Sequence, residues 1–129
     1  MFHFLIFHMK KSHGFFFEEA SIVCLKSQHP KFYHGSVLVY KNTIIGRGSN
    51  GGNGLNKRRH AEVASMKNKH LKKHTKCRSK LLVFVVRLNV SGEYRNSRPC
   101  ERCQDFMRKN GVDEVFYSMG NGRFESMKL

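Results

Sequence analysis

The run Leu81-Leu82-Val83-Phe84-Val85-Val86 restricts the fold more than any other stretch of this chain. Six apolar residues without alternation, rich in β-branched types, read as a strand covered on both faces. Such a strand lies at the centre of a sheet and needs neighbours. Gly35–Tyr40 and Thr43–Gly46 supply two of them, as a hairpin turning at Lys41-Asn42. Glu114–Ser118 is a further strand, and Arg123–Met127 reads as a frayed edge strand. The helices fall between these. Phe16, Ala20, Val23 and Ser27 recur at helical spacing within Phe15–Ser27, with Glu18 and Glu19 in the first turn and His29-Pro30 as the stop. Cys24, among apolar neighbours, is expected as a small core residue. A second helix is expected over His60–Lys72, and a third from Cys100 to the stop signal Asn110-Gly111. Gly48–Asn56 reads as a flexible connector, and Asn89–Ser97 as a loop turning at Ser91-Gly92. The alternation implies strand–helix–strand units with right-handed crossovers, and a sheet with helices packed on its faces.

At 129 residues the chain is one domain. Its charge is unusual: 24 Lys and Arg against 9 acids give a formal net of +15. That field attracts phosphates and acidic surfaces and carries no information about fold. The run Lys67, Lys69, Lys72, Lys73, Lys76, Arg78 and Lys80, with His70 and His74 inside it, is either a solvated face or a phosphate-facing one. The four cysteines (Cys24, Cys77, Cys100, Cys103) are too few and too uneven for a secreted disulfide scaffold. One metal site in a reducing, intracellular and cytoplasmic setting fits them better. The opening Met1–Met9 is apolar, yet far short of the roughly 20 residues that span a bilayer. Its positive charge, Lys10 and Lys11, follows the apolar run, so neither a signal peptide nor membrane association is expected. We read residues 1–14 as a loosely ordered tail, with Met9 a candidate start, ahead of a single domain over 15–129.

The chemistry concentrates in Pro99-Cys100-Glu101-Arg102-Cys103 and in His60-Ala61-Glu62. Two thiols three positions apart at a helix start lie on one face and can grip one metal ion. The helix N-terminus favours thiolate, the form that binds zinc. Pro99 marks the handover from extended chain to helix. His60 as a third ligand leaves one tetrahedral position for water, which is the catalytic arrangement, since structural sites are closed by four protein ligands. Zinc so held lowers the pKa of that water towards ~7. Glu62 is the nearest group able to take its proton and return it to a leaving amine.

His-x-Glu followed by Pro-Cys-x-x-Cys resembles the signature of the zinc-dependent cytidine and deoxycytidylate deaminase superfamily. The resemblance extends from the first helix to Ser118. It implies a three-layer α/β/α sandwich, a mixed central sheet with helices on both faces. It also implies Zn2+ on His60, Cys100 and Cys103, with Glu62 as proton shuttle. The implied reaction is hydrolysis of a C–N bond in a cyclic amidine: cytosine of a nucleoside or nucleotide becomes uracil and ammonia is released, a step of nucleotide metabolism. The same scheme places Asn50 on the nucleoside and the backbone N–H of Ala61 on the base carbonyl. Relatives sharing this short core commonly assemble, so a homo-oligomer is compatible with it. Arg98, ahead of Pro99, departs from the small or acidic residues of several branches. Arg58, Arg59 and Arg98 flank the motifs and could meet one phosphate.

Two alternatives stand beside this one. The charge suits a deaminase acting on cytosine or adenine in single-stranded nucleic acid or a tRNA loop, with Tyr94, Phe116 and Tyr117 stacking bases. A non-catalytic zinc-binding module could instead use His70 and His74 with Cys100 and Cys103, and would leave Glu62 without a role.

Overall fold

The computed structural model describes residues 10–27, 32–51, 60–66 and 80–129. In chain order the elements are α1 (Lys11–Cys24), β1 (Tyr33–Tyr40), β2 (Thr43–Ser49), α2 (Ala61–Ser65), β3 (Leu81–Leu88), β4 (Tyr94–Arg95), α3 (Glu101–Lys109), β5 (Val112–Ser118) and β6 (Phe124–Lys128). The sheet runs β2-β1-β3-β5-β6, with β4 on the end of β3. It is mixed: β3 and β5 are parallel, joined through α3, and the other pairs are antiparallel.

The apolar run is the central strand. Leu81, Val83 and Val85 face one layer, with Met66, Cys103 and Met107 at the α2 and α3 side. Leu82, Phe84 and Val86 face the other, packing on Phe16, Phe17, Ala20 and Val23 of α1. Strand alternation thus serves two cores at once, and the result is the expected three layers with helices on both faces. The Lys41-Asn42 turn has φ of 50° and 60° at its two residues, which matches the twist of a two-residue hairpin. Cys24 is the expected core thiol: its Sγ lies 3.8 Å from the Val86 carbonyl, and burial pushes its pKa up to about 12.

Four boundaries differ from expectation. Helix α1 starts at Lys11, so residues 11–14, expected in the tail, form its first turn. Packing decides this, because Gly14, Phe16 and Phe17 are all buried against the sheet. Glu18 and Glu19 consequently sit mid-helix rather than in the first turn, and Glu19 pairs with Arg47 at 3.3 Å. Strand β2 continues through Gly48-Ser49, expected as loop. The stretch expected as loop after Asn89 is a hairpin onto β4: Asn89 N donates to Glu93 O, and the turn places Gly92 at φ 81°. Strand β6 is a firm edge, registered on β5 from Phe124 to Lys128.

The start and Met1–Met9, His29-Pro30, Arg58, Arg59, His70, His74, Cys77 and most of the basic run lie outside the described residues. Among the described residues, no helix is long and apolar enough to cross a membrane.

Candidate metal centre

The starts of α2 and α3 meet at this site. His60 is the N-cap residue of α2, and Cys100 is the N-cap residue of α3. Both have extended backbone there, so their side chains project past the helix ends. His60 Nδ1 lies 3.1 Å from Cys103 Sγ and 3.9 Å from Cys100 Sγ. All three donor atoms fall within 4.8 Å of one another. A tetrahedral zinc with ordinary Zn–N and Zn–S bonds sets its N and S ligands about 3.6 Å apart, between the two distances found. Donor chemistry and spacing are therefore compatible with one zinc ion.

Helix α2 is seated by close backbone approach. Ser65 Oγ donates to the Glu62 carbonyl at 2.7 Å, and Ser36 Oγ on β1 reaches Ser65 Oγ at 3.4 Å. Gly46 and Gly48 on β2 carry no Cβ because Ser65 and Ala64 backbone occupies that space. Gly48→Ala should thus cost about 3 kcal/mol, read as a lower urea midpoint with unchanged slope.

The approach to Cys100 is fixed by two buried serines. Ser97 N donates to Ser118 O at 2.8 Å, and Ser118 N donates to Ser97 Oγ at 2.8 Å. Ser118 Oγ accepts from Arg87 N at 3.1 Å and lies 2.8 Å from Arg95 O. This cross-link ties β3, β4 and β5 to the chain three residues before Cys100. At the start of α3, Gln104 Nε2 donates to Pro99 O at 2.8 Å. Sequence reasoning missed Ser97 and Ser118, since nothing in their spacing announces that they meet.

Glu62 stands beside the donor cluster with 4% of its surface exposed. Burial pushes its carboxyl up to about 7, against hydrogen bonds from its own backbone N–H and from Cys103 that favour the carboxylate. Cys103 is pushed well above the ordinary thiol range, first by burial and then by Glu62 and Cys100 nearby. A buried carboxyl poised near neutrality can hold or release a proton at pH 7. Ala61 begins α2 and is buried.

The other expected contacts fare differently. Asn50 is buried and its side chain bonds to the protein: Nδ2 donates to Phe32 O at 2.9 Å, and Oδ1 accepts from His34 N at 2.9 Å and from Ser27 Oγ. It braces the start of β1. Arg98 is exposed, but its Nη1 donates to Tyr117 Oη at 3.1 Å, and Tyr117 Oη in turn lies 3.5 Å from Glu125. The aromatics expected to stack bases are structural. Phe116 stacks on Phe84 at 4.5 Å, Tyr117 is buried, and Tyr94 packs on Phe124 with its hydroxyl 2.8 Å from Ser21 Oγ.

Over residues 10–119 the sequence matches the family model for the cytidine and deoxycytidylate deaminase zinc-binding region. The chain belongs to this family. Its fold is shared with cytidine deaminase from Burkholderia pseudomallei, at TM-score 0.63 and 18% identity over 90% of this chain and 91% of that one. The dCMP deaminase of cyanophage S-TIM5 is similar at TM-score 0.61 and 18% identity, covering 88% and 86%. The same enzyme in complex with dCMP and dUMP gives 0.57 and 19%, covering 85% and 83%. Acinetobacter baumannii RibD aligns at 0.55 and 21%, over 81% of this chain and 27% of that longer one. No curated protein matches the sequence.

Proposed function

We propose that this family member is a zinc-dependent hydrolytic deaminase that converts the cytosine of a (deoxy)cytidine nucleoside or nucleotide to uracil. The observation that carries the reading is the His60–Cys100–Cys103 donor cluster with a buried Glu62 carboxyl beside it. His60, Cys100 and Cys103 would hold the zinc. Zinc there supplies Lewis acidity that brings water to a pKa of about 7. Glu62, kept off the metal, takes a proton from the attacking water and delivers it to the departing amine. The C4–N bond breaks as a C4–O bond forms, so cytosine and water give uracil and ammonia. In this scheme the N–H of Ala61, the first residue of α2, would hold the base carbonyl. The zinc-binding name of the family and a cytosine nucleotide bound to one structural neighbour support the choice of metal and substrate class.

The test is ammonia release from dCMP, deoxycytidine and a short cytosine-containing oligonucleotide at 50 and 200 mM salt. Turnover of dCMP or deoxycytidine that falls only mildly with salt is the expected result. Activity confined to the oligonucleotide and lost by orders of magnitude at the higher salt would instead establish the nucleic-acid reading.

A further inference from the structure

Three basic side chains stand in one row across the end of the sheet. His34 on β1 is registered opposite Arg87 on β3, and Arg87 is registered opposite Arg95 on β4. Residues directly opposite on antiparallel strands project to the same face. By alternation along β3, Arg87 shares the face of Val83 and Val85, the one covered by α2 and α3. Two arginines facing each other across a strand pair repel. Glu93 pairs with Arg95 at 3.7 Å on the surface, and among the described residues no carboxylate forms an ion pair with Arg87.

The Arg87 guanidinium is held in place before any ligand arrives. Its Cζ lies 4.2 Å from the centre of the Phe32 ring, and Nη1 donates to Asn96 O at 3.4 Å. Its Nε is buried with no acceptor among the described residues. Phe32 is itself positioned by Asn50, which binds its carbonyl. Asn96 also accepts from Arg98 N at 2.8 Å, and Pro99 and Cys100 follow directly in the chain. The guanidinium therefore lies on the shoulder of the Cys100 loop. Arg98, one of the three arginines expected to meet a phosphate, is turned to Tyr117.

We propose that Arg87, with Arg95 beside it, is the anion-recognition element of this site and takes the phosphate of a nucleotide substrate. A planar guanidinium with one face on an aromatic ring keeps its edge donors in a fixed fork, the geometry that suits a phosphate. Asn50 then acts as a positioning residue, through Phe32. The inference rests on the deaminase reading for its substrate, and its test is separable from that reading.

Inorganic phosphate is titrated calorimetrically into the zinc-loaded protein, and KM and kcat are measured for dCMP and for deoxycytidine. Arg87→Gln should weaken phosphate binding about tenfold and raise KM for dCMP by a similar factor, with kcat held and KM for deoxycytidine moved less than about twofold. Arg87→Lys should recover part of the loss. Arg95→Gln, at a half-exposed position that does not threaten folding, should weaken phosphate about threefold. Phosphate affinity equal in wild type and both Gln variants overturns the proposal, as does an equal rise in KM for both substrates. A protein that binds phosphate through Arg87 yet releases no ammonia from either compound overturns the proposed function and supports the anion site.

Discussion

Replacing Glu62 with alanine should lower ammonia release at least about a thousandfold while bound zinc is retained. The carboxyl is buried at the start of α2, one residue beyond Ala61, and is not one of the three clustered donors. Removing it therefore takes away the proton carrier and leaves all three donors in the chain. Turnover within tenfold of wild type, with zinc bound, would refute the shuttle role. Stability gives a second readout in the metal-free protein. Burial raises the Glu62 pKa from 4.5 to about 7, so between those values the folded state binds more protons than the unfolded one. Stability accordingly falls as pH rises through that window, by about 3 kcal/mol when complete. Glu62→Gln cannot ionise and should remove this slope, as seen in urea unfolding at pH 5 and pH 8.

The contrast between Glu62 and Arg98 shows which parts of the site were legible in the sequence. His60, Glu62, Cys100 and Cys103 are fixed by spacing within two helix starts, and local backbone geometry is what short motifs encode. The central strand was legible for a related reason. An unbroken apolar run leaves no face for water, and Leu81–Val86 indeed divides between two cores. Arg98 was legible as a charge near the motif, but its direction depends on where Tyr117 lies on β5, nineteen residues away. The Ser97–Ser118 cross-link and the Arg87 row depend in the same way on the register between strands. The hairpin after Asn89 sets the register of β4 on β3, of which Ser91-Gly92 gave only the turn, while the pairings of β3 with β1 and β5 join strands distant in the chain. Likewise Gly48 was read as loop because glycine permits turns, whereas here its missing Cβ admits α2.

Zinc retention should collapse when Cys103 or His60 is replaced by alanine, by about a thousandfold in affinity for each ligand removed. The three donors are spaced for a shared ion, and two of them cannot complete a tetrahedral set with water alone as tightly. Metal content after dialysis reads the loss directly. Binding should also release protons, because burial holds the Cys103 thiol protonated at neutral pH in the metal-free protein. Affinity must therefore climb as pH rises from 6 to 8, and calorimetry in buffers of different ionisation enthalpy counts the protons. His70→Ala serves as the discriminating control. If zinc survives it and is lost with His60→Ala, the finger-like alternative fails; if the reverse holds, the cluster at the two helix starts is not the metal site, and Glu62 has no metal-activated water to deprotonate.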